Sequence, residues 1–316
     1  FMKKIDVNFK KPSQEQLNNL LELYQTRKYP DAEKLSVSIT EEFPKHPFAW
    51  KVLAIVFKQM GKVNESLITS QKSVQLDPQD AEAHNNLGII LKELGRLKEA
   101  EASYRQAITL KANFAEAHNN LGIILEELGR LNEAEASYRQ AITLKPDYAE
   151  AQNNLGIILQ ELGRLNEAEV SLRQAITLKP DLAEAHSNLG NTLKDQGRLK
   201  EAEVSYGQAI ALKPDYAEAY NNLGVILQEQ GILKEAFSAY IQAINLNPNF
   251  TDAYANLGIA IKNVRFNSSN VKLYPLLIRL LSNGNFAHPI DLAPSILSLL
   301  KHDPLIKNLL LEKNFA

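Results

Sequence analysis

The sequence has no cysteine, one tryptophan and two methionines among its 316 residues. Without thiols it has no disulfide, no cysteine-bound zinc site and no thiolate nucleophile. It has no apolar run near the length of about 18 residues that a membrane helix needs. Its first residues, FMKKIDVNFKKP, become polar too soon for a secretory leader. The lack of a membrane span and of a leader favours a cytoplasmic protein without a membrane partner, whereas the lack of cysteine does not fix the compartment.

An excess of charge of one sign is also missing. The chain carries 35 Lys and Arg against 37 Asp and Glu, a net charge of −2 at pH 7. The basic residues are scattered, whereas binding to a phosphate backbone requires them to be clustered. We therefore expect no nucleic-acid partner.

What the sequence does contain is a repeat of 34 residues. Residues 81–114 and 115–148 are identical at all but five positions. Further copies occupy 149–182, 183–216 and 217–250, degenerate copies occupy 13–46 and 47–80, and a lone first helix occupies 251–264. The predicted organisation is thus a tail at 1–12, a repeat array at 13–264 and a helical cap or connector at 265–316.

Certain residues recur at fixed offsets in each copy. The set in the copy that begins at Ala81 is His84, Leu87, Gly88, Leu91, Gly95, Ala100, Tyr104 and Ala107. With this spacing, the set resembles the tetratricopeptide repeat. The resemblance implies an all-α fold, a right-handed α-solenoid of helix-turn-helix repeats, in which each repeat buries its apolar face by stacking on the next. It also implies a concave groove that commonly holds a peptide or a partner protein.

The C-terminal segment, residues 265–316, breaks the period. A polar turn at 265–270 precedes three Leu-rich stretches, which we expect to form short helices over the exposed face of the last repeat. Residues 271–316 also resemble the connector in bacterial tetratricopeptide proteins that carry a methyltransferase-like domain. Whether a catalytic domain follows Ala316 stays open.

One face of the first helix of each repeat carries polar residues in register. With about 3.6 residues per turn, the second, sixth, ninth and thirteenth residues of this helix lie together, opposite the apolar stripe, and we expect them to line the groove. The thirteenth residues are Glu93, Glu127, Glu161, Asp195, Glu229 and Asn263. The sixth residues are Asn86, Asn120, Asn154, Asn188, Asn222 and Asn256. The second residues are Glu82, Glu116, Glu150, Glu184 and Glu218, and the ninth residues include Ile89, Ile123 and Ile157.

The row of asparagines has two interpretations. Asparagine costs about half a kcal/mol against Ala in a helix interior, so a row in register needs a reason beyond propensity. A side-chain amide both donates and accepts, and it can bind both polar groups of a peptide bond whatever the sequence. The row resembles the asparagine ladder of the O-linked N-acetylglucosamine transferases, in which the ladder holds an extended polypeptide. Alternatively, each amide bonds a neighbouring helix or loop and stabilises the stack.

The residues beside the asparagines define the expected ligand. An isoleucine on a face opposite the core either packs on the next repeat or contacts a ligand. The glutamates stand where repeats that clamp a C-terminal carboxylate carry Lys, which disfavours such a clamp. An acidic, amide-rich groove should prefer neutral to basic protein segments.

The titratable residues do not suggest an enzyme. His84, His118 and His186 occupy the position that holds Trp50 or Tyr220 in other copies, so we interpret them as packing residues and not as metal ligands. No nucleophile with its base and no phosphate-binding loop stands out from the repeat pattern. We therefore expect no catalytic residue, metal site or cofactor in the chain.

The favoured function is a protein–protein interaction module that binds an extended peptide or a partner protein in its groove. Two alternatives stay open. The chain could be the substrate-recruiting N-terminal region of a larger enzyme, for which a methyltransferase fits better than a glycosyltransferase. It could also be a scaffold that self-associates, because the sequence leaves the oligomeric state open.

Overall fold

The computed structural model describes residues 11–262, 273–282 and 289–304. Within these residues the regular elements are all helices. In chain order they are α1 (Gln14–Gln25), α2 (Tyr29–Glu42), α3 (Pro47–Gln59), α4 (Val63–Leu76), α5 (Ala81–Glu93), α6 (Leu97–Leu110), α7 (Ala115–Glu127), α8 (Leu131–Leu144), α9 (Ala149–Glu161), α10 (Leu165–Leu178), α11 (Ala183–Asp195), α12 (Leu199–Leu212), α13 (Ala217–Glu229), α14 (Leu233–Leu246), α15 (Thr251–Ile261), α16 (Tyr274–Ser282) and α17 (Pro289–Leu300). We call the odd-numbered helices from α5 to α15 the A helices, and the even-numbered helices from α6 to α14 the B helices.

The chain forms two compact units, Phe1–Ile158 and Leu159–Ala316, and their boundary falls within α9. In the first unit α3 packs on α4, α5 on α6 and α7 on α8. In the second unit α11 packs on α12 and α13 on α14. B helices also pack on the A helix that follows, as α6 does on α7 and α12 on α13. Stacked helix pairs therefore confirm the predicted all-α solenoid fold within each unit.

A glycine on the A helix and a tyrosine on the B helix hold the two helices of a repeat close together. Tyr138 on α8 is fully buried. Its ring lies against the backbone of Gly122 on α7, where an added Cβ atom would be 2.5 Å from the ring carbon Cε1. The same contact joins Gly224 to Tyr240 in the second unit. The repeat motif therefore pairs its glycine with a large aromatic residue for a steric reason.

A second glycine ends each A helix from α5 to α13. Gly129 has a φ of +72° and Gly197 a φ of +75°, in the left-handed region that a side chain disfavours. Each follows the last turn of its helix, α7 or α11. The chain then reverses into the B helix, as the motif predicts.

The two C-terminal helices, α16 and α17, pack on the last A helix. Leu280 of α16 and Leu292 of α17 are fully buried in one apolar cluster with Leu257 of α15. The hydroxyl of Ser295 donates a hydrogen bond to the backbone carbonyl of Ile261. Leucines of the C-terminal segment thus cover the last A helix. The predicted turn at 265–270 and most of the third predicted helix lie outside the described residues.

Candidate functional site

The asparagine row makes hydrogen bonds between consecutive A helices. In the first unit Asn120 donates from its Nδ2 atom to the Oδ1 atom of Asn85 on the preceding A helix, at 3.1 Å. Asn154 donates to Asn119 in the same way, at 3.2 Å. In the second unit Asn256 donates to Asn221, at 3.0 Å. The amide of the sixth residue therefore bonds a neighbouring helix, as the second interpretation of the row supposes.

The acceptors of these bonds are the fifth residues of the A helices, which the sequence analysis did not single out. Asn85 is 7% exposed and Asn119 is 5% exposed. A buried amide oxygen needs a partner, and leaving it without one costs about 1–3 kcal/mol. The bonds explain why an unfavourable helix residue recurs at two adjacent positions. The sequence feature that could have revealed these acceptors is the recurrence of adjacent asparagines, in pairs that begin at Asn85, Asn119, Asn153 and Asn221.

Part of the Asn120 amide stays free. One N–H is used in the bond to Asn85, and the Oδ1 atom has no partner among the described residues. The amide is half-buried and fixed in orientation, with one donor and one acceptor left over. Asn154 differs, because its Oδ1 atom accepts a bond from Asn153 at 3.4 Å. Asn86, Asn188 and Asn222 are also half-buried on their A helices.

A cavity of about 310 Å³ lies beside Asn120 in the first unit. The residues that line it are Ile89, Lys92, Glu93, Tyr104, Asn120 and Ile123. Ile89 and Ile123 come from the ninth position of α5 and α7 and are only partly buried. Ile157 is partly buried at the same position of α9. The structure therefore brings together two predicted kinds of site residue, an amide and aliphatic side chains.

The column of glutamates at the second position of the A helices is less negative than the sequence alone suggests. Glu82 pairs with Lys51 at 3.1 Å, Glu116 with Lys145 at 3.8 Å and Glu184 with Lys213 at 3.2 Å. Glu150 and Glu218 are exposed on α9 and α13. Glu218 makes no ion pair with the described residues. Among these glutamates, Glu218 therefore keeps a negative charge that no lysine or arginine of the described residues neutralises.

A histidine connects each of three A helices, α5, α7 and α11, to the turn before it. The Nε2 atoms of His118 and His186 lie 3.2 and 3.0 Å from the carbonyl oxygens of Ala112 and Pro180. These histidines are partly exposed, and the ring of each contacts the backbone of the turn. Burial lowers the pKa of His118, although the bond to Ala112 acts to raise it. No group of His, Asp or Glu suited to a metal ion occurs in the described parts of the chain.

Family models of the tetratricopeptide repeat match the sequence. One matches residues 88–129 and 190–231, and others match 69–102, 113–181 and 217–250. Together they cover more than half of the chain. No curated protein sequence matches it.

Solved structures show the same fold. A chain of the APC/C hetero-tetramer Cut9–Hcn1 has a TM-score of 0.67 at 18% identity, over 76% of this chain and 48% of that chain. A tetratricopeptide repeat protein from Parabacteroides merdae has a TM-score of 0.62 at 16% identity, over 78% of this chain and 98% of that one. The type IV pilus biogenesis factor PilW has a TM-score of 0.61 at 22% identity, over 66% and 96%. The match thus spans about half of the Cut9–Hcn1 chain.

The comparisons establish the repeat and leave two finer resemblances as predictions. These are the likeness of the asparagine row to the glycosyltransferase ladder and that of residues 271–316 to a methyltransferase connector. Among the helices that the structure describes, none has the length and apolar character to cross a membrane.

Proposed function

Because the chain belongs to the tetratricopeptide repeat family, we propose that it is a protein–protein interaction module that binds an extended partner segment on the A-helix face. We use this term for the face of the A helices that carries their second, sixth and ninth residues. The observation that supports the proposal most directly is the free half of the Asn120 amide next to the aliphatic cavity.

An extended segment fits this chemistry because its backbone is unpaired. Each of its residues has an N–H donor and a C=O acceptor, and Asn120 has a free acceptor and a free donor to match them. An aliphatic side chain of the segment would enter the cavity between Ile89 and Ile123 and remove apolar surface from water. Backbone contacts give affinity without a sequence requirement, whereas the cavity gives some selectivity.

Charge adds a preference for neutral to basic segments. Exposed carboxylates, such as Glu218, attract cationic side chains and repel acidic ones. Because Glu82, Glu116 and Glu184 already pair with lysines, we expect this preference to be modest. We propose no catalytic step and no cofactor for this chain.

The test compares two Ile→Ala variants of the same unit. Ile123 lines the cavity, whereas Ile68 lies on α4 with 65% of its surface exposed. We expect Ile123→Ala to weaken binding to an array of unstructured peptides, and Ile68→Ala to leave it unchanged. Equal losses in both variants, or no loss in Ile123→Ala, would contradict binding at this cavity.

A further inference from the structure

One repeat, residues 183–216, departs from its neighbours on the A-helix face. Its fifth residue is Ser187, where the neighbouring copies have asparagine. Its ninth residue is Asn191, where the other A helices from α5 to α15 carry isoleucine or valine. The two changes lie in the same helix, α11, and both alter hydrogen bonding on this face.

The two changes compensate each other structurally. Asn222 on the next A helix donates to Oδ1 of Asn191 at 3.1 Å, instead of bonding the fifth residue as Asn120 and Asn256 do. The same Oδ1 atom accepts the hydroxyl of Tyr206 at 2.7 Å. Because both bonds use the oxygen, the Nδ2 atom of Asn191 keeps its two N–H donors without a partner among the described residues.

An oriented carboxylate lies one helical turn further along α11. The Oδ2 atom of Asp195 accepts a hydrogen bond from Nε2 of Gln160 at 2.7 Å. The buried hydroxyl of Thr192 lies 3.3 Å from the Oε1 atom of Gln160 and 3.1 Å from the carbonyl oxygen of Asn188, and it shares its one proton between these two acceptors. Asp195 is 38% exposed, and its Oδ1 atom lies 3.8 Å from Nζ of Lys194. Asn191 and Asp195 are four residues apart and therefore neighbours on one helix face.

We propose that Asn191 and Asp195 form a polar subsite that takes a neutral side chain with both a donor and an acceptor, namely an amide or a hydroxyl, from the bound segment. The ligand acceptor would bind the free N–H groups of Asn191, and its donor would bind Oδ1 of Asp195. This inference rests on the proposed function and adds a selectivity to it.

Competing side chains fit the subsite less well. An aliphatic side chain would bury the free N–H groups of Asn191 without partners, which is unfavourable. A basic side chain would meet a carboxylate that already has Lys194 beside it. It would also face the N–H groups of Asn191, to which it offers no acceptor. The cavity near Ile123 has the opposite preference, because its walls are largely apolar.

The test converts this repeat to the pattern of its neighbours. In the double variant Ser187→Asn/Asn191→Ile, Asn222 regains the fifth-residue partner used elsewhere, and the ninth residue becomes aliphatic. The probe is a set of fluorescein-labelled unstructured peptides with one Ser/Val parent sequence, in which a single Gln, Val or Lys is moved along the chain. Binding is measured by anisotropy, and urea unfolding verifies that each variant is folded. Val170→Ile is the matched control, because it makes an aliphatic change in the same unit at an exposed residue of the B helix α10, which does not belong to the A-helix face.

For the wild type and for Val170→Ile we expect one peptide register at which Gln binds more tightly than Val by about fivefold, the equivalent of one hydrogen bond. In the double variant the preference at that register should reverse. The same Gln-to-Val ratio in both proteins would overturn the subsite, and so would tighter binding of Lys than of Gln. In those cases binding of the parent peptide would still support the proposed function. Failure of the wild type to bind any peptide would overturn both.

Discussion

Asn154 on α9 donates its side-chain amide to Asn119 on α7, at 3.2 Å. The bond joins two A helices of the first unit through Asn154, a residue that was also expected to contact a ligand. A residue in this row thus has a structural partner before any ligand binds. Loss of binding in a variant of this row has to be separated from loss of stability.

Asn120→Ala should lower the free energy of unfolding by about 1–2 kcal/mol. The buried Oδ1 atom of Asn85 loses its donor, at a cost that exceeds the gain of about half a kcal/mol from the better helix former. Asn86→Ala is the control, because Asn86 makes no hydrogen bond with the described residues. We expect it to be neutral or slightly stabilising in urea unfolding. Equal effects of the two substitutions would show that the bond contributes nothing.

Gly122→Ala should destabilise the protein by about 1–3 kcal/mol, because the new methyl group would overlap the ring of Tyr138. Gly207→Ala is a control of the same type, since Gly207 lies within α12 and has no atom within 4 Å of the added Cβ. There we expect a gain of about 0.5–1 kcal/mol from the better helix propensity. In the double variant Gly122→Ala/Tyr138→Leu, the leucine side chain is shorter than the tyrosine ring, so we expect part of the lost stability to return. Thermal melts of the three variants would measure each effect.

Leu280→Ala should cost about 2–5 kcal/mol locally, because the side chain is fully buried among residues of α14, α15 and α17. Amide hydrogen exchange should become faster in α15 and α14, whereas helices of the first unit stay protected. Leu297→Ala on α17 is the control, since Leu297 is 62% exposed. Unchanged exchange in α15 after Leu280→Ala would mean that the C-terminal helices do not protect the last repeat.

Glu218→Gln should weaken retention of Lys-containing peptides more than Glu184→Gln does. Both residues are the second in an A helix of the second unit, but Glu184 already pairs with Lys213. The difference should shrink as salt is added, because ions screen exposed charges over about 10 Å at 0.1 M. Peptide arrays at low and high ionic strength would measure it. Stronger retention of acidic peptides at low salt would contradict the electrostatic preference.

Stability should fall at mildly acidic pH through His118. Its folded-state pKa lies below the ordinary value because the ring is partly buried, so the unfolded chain binds more protons as the pH falls below about 6.5. Stability present above the unfolded pKa is therefore lost as the pH drops through the folded pKa. The following repeat carries Gln152 at the same position, so His118→Gln introduces a residue that the fold already accepts there. We expect this variant to have a weaker dependence of stability on pH. An unchanged pH profile in urea unfolding would exclude His118 as its source.

The fold was predictable because the repeat specifies local structure many times over. Gly95 and Gly129 mark the turns, and the Gly122–Tyr138 pair recurs at a fixed spacing. The asparagine row was also predictable as a face, since it follows helical periodicity alone.

The partners of these side chains were not predictable in the same way. Asn85 belongs to the fifth position, which points between two A helices, and only three-dimensional stacking brings it to Asn120. Lys145 reaches Glu116 from a turn almost a full repeat away in sequence. Periodicity within one helix contains no information about contacts between repeats. The net charge of the A-helix face and the unpaired atoms of Asn120 could therefore be identified only from the structure.

The contact between the fifth and sixth residues has a consequence for how this protein can change in evolution. Residues 115–148 could be removed in frame, and Asn154 would then meet Asn85 with the same amide geometry that Asn120 has now. Insertion of a further copy would equally create no unmatched junction. Gene duplication and loss can thus lengthen or shorten the array by whole repeats, and with it the A-helix face, while each new junction keeps a donor and an acceptor for its amide bond.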